Sequence, residues 1–326
     1  MEINRVTVAG GGVLGSQIAF QTAFKGFKVR IYDVTTEEVK PRLERLKEAY
    51  LVSLEQMKRD QSAWCRGLSM DRTISAEEID KLKEKVESGL ADIVISSDLQ
   101  ASFSDPDFVV EAVVENREIK TAFYKSIADI LPEHTVVATN TSTLLPSMFA
   151  EATKRPDKFL AMHFSNHIWR FNTAEIMRHE GTSDEAFETV AEFAKRIGMI
   201  PLKLNKEQPR YILNSLLVPF VHSAMLLLAE GVSDVETIDL TWMVSTGAPF
   251  GPFRFLDAIG LRTIYNIYLS IPASGDETTP AGKVRKMLDR YIEQGKIGES
   301  AGAGFYSYSP GVEPAQQLRQ KLFQET

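Results

Sequence analysis

Continuous apolar runs alternate with amphipathic segments through the first two hundred residues of the chain. The runs predict strands, because a strand covered on both faces of a parallel sheet shows no regular polar alternation. The predicted strands span residues 5–9, 28–32, 91–95, 108–113, 135–139 and 159–164. Helical segments such as 15–24 and 117–131 lie between them. This alternation predicts an α/β fold with a doubly wound sheet.

Two stretches depart from the alternation. Residues 36–87 contain two long charged segments, far more chain than one crossover needs, so we expect an inserted helical hairpin there. Such a hairpin is a candidate for a mobile substrate lid. Residues 159–178 show two strands with a turn near 167–172, which predicts an antiparallel pair.

The strand pattern ends near residue 204, and helical periodicity follows at 212–230, 234–244, 261–269 and 281–293. We therefore expect two domains, residues 1–204 with the sheet and hairpin, and residues 205–326 as an all-α domain. The apolar stretch 212–228 is interrupted by polar residues and a proline, so it predicts a buried core helix and no membrane span. The interrupting residues are Asn214, Ser215, Pro219, His222 and Ser223.

Composition narrows the function classes. The chain has 44 acidic and 37 basic residues and a net charge of −7, which argues against a nucleic-acid-binding protein with its basic surface. The single cysteine, Cys65, permits no internal disulfide, and the N-terminus shows no secretory leader pattern, so a cytoplasmic location is expected. We expect no metal ion.

The segment after the first strand carries the G-x-G-x-x-G pattern at Gly10, Gly12 and Gly15. The first glycine permits a tight turn, the second lets the backbone approach a pyrophosphate, and the third lets the helix pack close to the sheet. The N–H groups at the helix start, around Val13 and Leu14, are expected to bind the phosphates. The pattern, set between a strand and a helix, predicts a Rossmann dinucleotide-binding unit.

An acidic residue ends the second predicted strand. Asp33 lies about 20 residues after Gly12, where a carboxylate binds the ribose 2′-hydroxyl. The same charge would repel the 2′-phosphate of NADP. The sequence therefore predicts NAD as the cofactor.

Hydride transfer to or from a carbonyl also needs a group that moves a proton, and histidine suits this work near neutral pH. His163 ends the strand 159–164, and Glu175 lies on the returning strand, so the two side chains can meet. A carboxylate beside an imidazole orients the ring and stabilises its protonated form. By spacing alone, a catalytic pair and a structural pair are equally plausible.

Several further motifs are similar to those of one family when they are taken in order along the chain. They are Val110-Glu111-Ala112-Val113-Val114-Glu115-Asn116, Thr139-Asn140-Thr141-Ser142, His163-Phe164-x-Asn166, Asn214-x-Leu216-Leu217-Val218-Pro219, Gly247-x-Pro249-x-Gly251-Pro252-Phe253 and Gly302-Ala303-Gly304-Phe305-Tyr306. The whole chain resembles the L-3-hydroxyacyl-CoA dehydrogenase family, some members of which act on 3-hydroxybutyryl-CoA.

The resemblance implies roles for individual residues. His163 would be the general acid and base on the substrate oxygen, and Glu175 would hold it. Ser142 and Asn214 would hydrogen-bond near the reacting carbonyl. The nicotinamide-ribose side of NAD would be contacted by Glu115, Lys120, Ser142 and Asn166. Without the resemblance, Ser142 suits a helix cap, Asn214 a satisfied buried amide, and Lys120 a solvated charge. The family also implies an L-3-hydroxy product, a place in fatty acid metabolism, and a homodimer formed by the helical domain, which would also close over the substrate.

The residues on the substrate side depart from the family pattern. In the family, a serine and a lysine on the first inserted helix contact coenzyme A. The corresponding positions here are Ala49 and Gln56. Ser53 and Lys58 lie near enough to replace them. The usual Pro-Gly-Phe before the helix with Asn214 is Pro209-Arg210-Tyr211.

A second departure from the family pattern follows the predicted strand 159–164, which carries His163. The segment His167-Ile168-Trp169-Arg170 replaces a proline-containing sequence and, together with Asn214-Ser215, resembles the diketoreductase branch, which reduces dicarbonyl esters. Trp169 would form a pocket wall or lie in an interface. Arg170 or Arg210 could pair with a free carboxylate, and the alternative for both is an ordinary surface charge.

Three functions are therefore compared. The leading one is NAD-dependent interconversion of L-3-hydroxyacyl-CoA and 3-oxoacyl-CoA. The alternative is an NAD(H)-dependent reductase of 3-oxo or dicarbonyl compounds without coenzyme A, or a hydroxy-acid dehydrogenase. The third is a non-catalytic NAD-binding protein, since a fold alone does not determine function. The His163–Glu175 pair weighs against the third.

Overall fold

The structure is a computed structural model that describes residues 2–60 and 63–308, together with residues 314, 315, 317 and 318. The chain forms two compact units, which divide between Ile212 and Leu213. This division lies eight residues after the expected boundary at 204. The reason is that Tyr211 is buried in the first unit, where it packs with Ala161, Met177 and Leu204.

The first unit contains one eight-stranded sheet. Its strands are β1 Arg5–Ala9, β2 Lys28–Tyr32, β3 Ile93–Ser96, β4 Phe108–Glu111, β5 Val136–Thr139, β6 Phe159–Phe164, β7 Thr173–Met177 and β8 Ile200–Leu204. Their order is β3-β2-β1-β4-β5-β6-β7-β8. All neighbouring pairs are parallel except β6 and β7, which are antiparallel as predicted. The doubly wound Rossmann fold is thereby confirmed.

Strand β8 is absent from the strands predicted above. Its sequence, Ile-Pro-Leu-Lys-Leu, contains Pro201 and Lys203, and only its last residue is buried. Proline is tolerated in an edge strand because one side of that strand donates no ladder hydrogen bonds. The edge position of β8 therefore explains why its sequence does not look like that of a buried strand.

The helices of the first unit are α1 Val13–Phe24, α2 Val39–Arg59, α3 Ala76–Gly89, α4 Leu99–Phe103, α5 Arg117–Ile127 and α6 Asp184–Arg196. Helices α2 and α3 pack on each other and form the predicted hairpin. Ser75 and Glu78 begin α3 with a reciprocal capping box. Ion pairs such as Lys58–Asp80 link the outer faces of the two helices.

The second unit consists of α8 Val235–Thr246, α9 Pro252–Ile259, α10 Leu261–Leu269, α11 Pro280–Glu293 and most of α7 Tyr211–Ala229. Over residues 213–308 the structure has these helices and two isolated bridges at Ala303, so the all-α prediction is confirmed. Helix α7 is long and apolar enough to cross a membrane by length and composition, and only 17% of its apolar window is buried within the chain. Val221, Ala224 and Met225 lie in the hydrophobic core of the second unit, so the prediction of a core helix is confirmed for one face of α7, whereas most of the apolar window is not fully buried.

Two buried aspartates connect the glycine motifs of the second unit. Asp239 accepts hydrogen bonds from Phe253 N at 2.9 Å and from the Tyr306 hydroxyl at 2.9 Å. A Cβ atom on Gly251 would lie 2.1 Å from the Asp239 carboxyl carbon. Burial raises the pKa of Asp239 to about 6, despite these hydrogen bonds.

Asp257 has the matching arrangement. Its carboxylate accepts from Phe305 N at 2.8 Å, from Tyr306 N at 2.9 Å and from the Tyr308 hydroxyl at 2.8 Å. A Cβ on Gly304 would lie 2.0 Å from Asp257 Oδ1. The Gly-Phe-Tyr segment near the C-terminus is thus tied to α9, and glycine is needed where each carboxylate packs against the backbone.

Candidate active site

The glycine loop between β1 and α1 has the geometry that its pattern predicts. Gly10 has a φ of +103°, and a Cβ there would lie 2.5 Å from Ala112 O. A Cβ on Gly15 would lie 2.0 Å from Gly10 O. At Gly12, by contrast, a Cβ would meet none of the described heavy atoms within 4 Å. The loop is closed on its sheet side and open at the glycine where a pyrophosphate would approach.

The start of α1 suits a phosphate group. Gly12 is the residue before the helix and has no side chain that could cap it, so the first N–H groups of α1 keep their capacity to bind an anion. Val13 is exposed and Leu14 is half-buried. Together with the open side of Gly12, this arrangement fits the diphosphate of a dinucleotide.

Asp33 lies just after β2 and contacts the same loop. Its Oδ2 accepts from Gly11 N at 2.6 Å, and its Oδ1 accepts from Thr35 N at 3.0 Å. Arg42 of α2 donates from Nη1 to Gly11 O at 3.1 Å, a contact that the sequence did not suggest. The residues present therefore fit NAD, because Asp33 lies beside the glycine loop at the end of β2, where a carboxylate would meet a ribose hydroxyl.

A buried ion pair lies under the end of β4. Glu111 accepts from the Lys120 ammonium at 2.6 Å, the Tyr124 hydroxyl at 2.5 Å and the Thr139 hydroxyl at 2.8 Å. Lys120 is 1% exposed, which contradicts the alternative of a solvated charge. The same ammonium lies 3.4 Å from Glu115 Oε2, so Lys120 contacts two carboxylates.

Glu115 organises the loop that carries Ser142. Its Oε1 accepts from the Thr141 hydroxyl at 2.5 Å, Ser142 N at 2.9 Å and Thr143 N at 2.9 Å. Burial raises the pKa of Glu115, but the hydrogen bonds from Thr141 and Thr143 and the charge of Lys120 outweigh it and lower the pKa below the usual value. Glu115 is therefore an ionised anchor, and it holds Ser142 half-exposed at the end of β5.

His163 and Glu175 lie directly opposite each other on the antiparallel strands β6 and β7. His163 Nδ1 is 3.2 Å from Glu175 Oε2, and both side chains are almost completely buried. In the tautomer with its proton on Nδ1, that N–H donates a hydrogen bond to the carboxylate, and Nε2 carries the lone pair that can accept a proton from a substrate. Because β6 is parallel to β5, His163 lies toward the carboxyl edge of the sheet, the same edge as the glycine loop.

Other predicted site residues have different positions. Asn166 is exposed in the loop after β6. Asn214 lies on α7 in the second unit. Two residues that the sequence analysis did not assign to the site are also important. Asn140 accepts from Phe164 N at 3.1 Å and so fixes the end of β6, and Tyr211 stacks on His163. Asn140 lies within a quoted motif, which was the available signal for it.

Residues that were expected to contact coenzyme A or the substrate make hydrogen bonds and packing contacts within the protein instead. Ser53 is 2% exposed, accepts from Trp169 Nε1 at 3.1 Å and donates to Ala49 O at 2.8 Å. Trp169 is buried and packs on Tyr50, with ring centroids 4.9 Å apart. The structure thus corrects two expectations, since Ser53 has almost no surface for a substrate and Trp169 belongs to the core between the sheet and α2.

The charged residues of this region are also paired. Arg170 Nη2 donates to Gln56 Oε1 at 3.0 Å, and Lys58 donates to both carboxylate oxygens of Asp80 at 2.8 and 2.7 Å. Gly67, which follows α2, donates its N–H to Trp169 O at 3.0 Å. The segment 167–170 therefore fastens the hairpin to the sheet, which argues against a freely mobile lid.

A Rossmann sheet with an open glycine loop, a carboxylate after β2 and a histidine–glutamate pair at the same edge is typical of an NAD-dependent dehydrogenase. Residues 5–208 match the 3-hydroxyacyl-CoA dehydrogenase NAD binding domain, and residues 211–308 match the 3-hydroxyacyl-CoA dehydrogenase C-terminal domain. The chain belongs to the 3-hydroxyacyl-CoA dehydrogenase family.

Relatives cover nearly the whole chain. A probable 3-hydroxybutyryl-CoA dehydrogenase of Bacillus subtilis is 33% identical over 94% of this chain and 98% of its own length. The mitochondrial hydroxyacyl-coenzyme A dehydrogenase of Homo sapiens is 32% identical over 94% and 91%. A solved structure of a diketoreductase that acts on dicarbonyl compounds is 42% identical, with a TM-score of 0.80 over 94% of this chain and all of that chain. These similarities agree with both substrate classes that the sequence suggested.

Proposed function

We propose that the protein catalyses the reversible NAD-dependent oxidation of an L-3-hydroxyacyl-CoA to the 3-oxoacyl-CoA, in fatty acid metabolism. The observation that carries this proposal is the buried pair of His163 and Glu175, whose side chains meet at 3.2 Å on the carboxyl edge of the sheet. A dehydrogenase needs a proton acceptor at this edge, because dinucleotides bind there in doubly wound folds.

His163 moves the proton in this scheme. During oxidation, Nε2 takes the proton of the substrate hydroxyl, while the hydrogen on the same carbon leaves with its electron pair. NAD, when bound, supplies the acceptor for that hydride. In reduction, the protonated ring returns the proton to the oxygen. Glu175 keeps the Nδ1 proton in place and stabilises the imidazolium that forms.

Other residues would bind and orient the reactants. Ser142 and Asn214 are proposed to hydrogen-bond the reacting oxygen. Glu115, with Lys120 behind it, and Asn166 are proposed to hold the nicotinamide-ribose side of NAD. The support for Glu115 is its position, since it is ionised, partly exposed and adjacent to Ser142.

A second candidate function is reduction of 3-oxo or dicarbonyl compounds that carry no coenzyme A. It is favoured by the hairpin, where Ser53, Gln56 and Lys58 are all engaged by other residues. The 42% identity to a diketoreductase structure points in the same direction.

Steady-state assays with NADH and acetoacetyl-CoA, acetoacetate or a diketoester separate the candidates. A kcat/KM highest for acetoacetyl-CoA supports the first function, and one highest for the diketoester supports the second. Acetoacetate as the best substrate would indicate a hydroxy-acid dehydrogenase, and turnover of none would favour a binding protein.

We further propose a cytoplasmic homodimer formed through the second unit. Helix α7 exposes large apolar side chains, among them Leu216, which is 69% exposed. Soluble proteins rarely leave such a stripe in water, and a second copy of the chain would cover it. Analytical ultracentrifugation tests this proposal, and a monomer mass at micromolar concentration would refute it.

A further inference from the structure

The ring of Tyr211 lies parallel to the imidazole of His163. The two centroids are 4.4 Å apart, and the planes differ by 16°. Tyr211 is completely buried in the first unit. His163 is therefore contacted on its Nδ1 edge by Glu175 and on one face by an aromatic ring. Stacked rings at this distance attract each other through dispersion and the complementary charges of their π systems.

The residue after Tyr211 contacts the other member of the pair. The N–H of Ile212 donates to Glu175 Oε1 at 2.9 Å, while Glu175 Oε2 faces His163. Two consecutive residues thus reach both catalytic side chains. One supplies a ring and the next supplies a backbone hydrogen-bond donor.

This arrangement depends on an unusual backbone. Arg210 has a φ of +68° and Tyr211 a φ of +57°, in the left-handed region that costs free energy for residues with a Cβ. Arg210 occupies a position where the 3-hydroxyacyl-CoA dehydrogenase family commonly has glycine. Strained conformations of this kind persist when surrounding contacts hold them, and they cluster at functional sites. Here the contacts are the stack on His163 and the hydrogen bond to Glu175.

A single hydrogen bond restrains the plane of an imidazole ring only within the range of distance and angle that the bond tolerates. Within that range the His163 ring can still rotate about its Cβ–Cγ bond, and this rotation displaces Nε2. A parallel ring on one face opposes that rotation. Burial, together with the negative charges of Glu115, Glu175 and Glu111, raises the pKa of Tyr211. The phenol therefore stays neutral and presents an uncharged aromatic face.

We propose that Tyr211 is a positioning residue whose ring fixes the imidazole plane of His163 and so directs Nε2 at the reacting oxygen. This inference rests on the proposed acid–base role of His163. Proton transfer is steep in distance and angle, so a misdirected ring lowers the rate of the chemical step and leaves cofactor binding unchanged.

The test uses variants of the full-length chain with the substrate that the wild type turns over best. Tyr211→Leu removes the ring, and Tyr211→Phe keeps it. Phe27→Leu is the matched control, because it also removes a buried ring from the first unit. Phe27 packs on Phe193 and lies just before β2, at the amino-terminal edge of the sheet. Measurements are kcat, KM, the Kd for NADH and the melting temperature.

We expect Tyr211→Leu to lower kcat by about 10- to 100-fold, with the Kd for NADH unchanged within about twofold. Tyr211→Phe should keep kcat within about threefold, since the ring is retained. Phe27→Leu should lower the melting temperature without lowering kcat. If Tyr211→Leu does not fold, Tyr211→Met takes its place with the same expectation.

Two results would overturn the inference. One is a ringless variant that keeps wild-type kcat. The other is a Phe variant as slow as the Leu variant, which would show that the hydroxyl and not the ring is needed. His163→Gln is measured in parallel to separate this inference from the proposed function. Full turnover in His163→Gln refutes the acid–base assignment itself, whereas its loss beside an unaffected Tyr211→Leu refutes only the positioning role.

Discussion

The indole N–H of Trp169 donates to the hydroxyl of Ser53 at 3.1 Å, and this bond joins the segment after β6 to helix α2. Both side chains are buried, and the Ser53 hydroxyl also donates to Ala49 O. A family-based expectation had placed Ser53 near coenzyme A. The hydrogen bond shows that Ser53 holds the hairpin on the sheet domain.

This bond leads to a prediction for Ser53→Ala. The substitution leaves the buried indole N–H without its acceptor, so the free energy of unfolding should fall by about 1–3 kcal/mol. The KM for acetoacetyl-CoA should not change. Urea unfolding and steady-state kinetics measure the two effects. Ser126→Ala, which removes an exposed serine on α5, serves as the control and should alter neither quantity. A raised KM with unchanged stability would restore Ser53 to the substrate site.

The Asp33 carboxylate gives a prediction about the cofactor. Asp33→Asn keeps the shape of the side chain but removes the charge that a ribose hydroxyl would meet, so the KM for NADH should rise by about tenfold while kcat changes little. Discrimination against NADPH should weaken because the repulsion of the 2′-phosphate is lost.

The comparison for Asp33 is Asp105→Asn. Asp105 is a half-exposed carboxylate that pairs with Arg30 and precedes β4, at the other edge of the sheet. Asp105→Asn should change neither the KM for NADH nor the discrimination against NADPH. Equal KM values for wild type and Asp33→Asn would show that the ribose is held elsewhere.

The proposed acid–base pair of His163 and Glu175 gives a third prediction. His163→Gln removes the proton carrier, and Glu175→Gln removes the carboxylate that orients it, so each should lower kcat by about 10²- to 10⁴-fold. Fluorescence titration should show that NADH still binds. The control is His134→Gln, since His134 lies 3.4 Å from Asp107 at the start of β5, away from the carboxyl edge of the sheet. Near-normal turnover in either member of the pair would be incompatible with the proposed chemistry.

Much of this site could be predicted from the sequence, for reasons that the structure makes clear. Close backbone contacts at Gly10 and Gly15 leave no room for a side chain. Glycine is therefore needed at these positions, and the two glycines show a fixed spacing in the sequence. His163 and Glu175 lie on adjacent antiparallel strands, so their separation along the chain already indicated contact. These features depend on nearby chain, which is why pattern and spacing reveal them.

The features that were missed depend on distant contacts. Trp169 packs on α2 through Ser53 and Tyr50, more than a hundred residues earlier, and its sequence looked equally suited to a pocket wall. The stack of Tyr211 on His163 depends on left-handed backbone at Arg210, which an arginine does not suggest. Strand β8 was missed because an edge strand tolerates Pro201 and Lys203.

The buried carboxylate of Asp239 gives the last prediction, which concerns pH. Burial raises its pKa to about 6 from the usual 3.8. The folded chain therefore binds a proton more tightly than the unfolded chain, and the stability contributed by this group is complete below about pH 4 and is lost as the pH rises through about 6. Two pKa units correspond to about 3 kcal/mol. Asp257 also has a raised pKa, because burial outweighs its hydrogen bonds, and it acts in the same direction.

The experiment compares wild type with Asp239→Asn by urea unfolding between pH 4 and pH 7. The wild type should lose stability relative to the variant across this range, because asparagine cannot ionise. Asp276→Asn is an informative control. Hydrogen bonds from Thr278 lower the pKa of the exposed Asp276, so its contribution is present at neutral pH and is lost only as the pH falls through the lowered value. A constant difference between wild type and Asp239→Asn from pH 4 to 7 would show that Asp239 has an ordinary pKa. A wild-type stability that falls relative to Asp239→Asn as the pH rises would show that ionisation of the buried Asp239 costs stability, even though the hydrogen bond from Tyr306 favours the charged form.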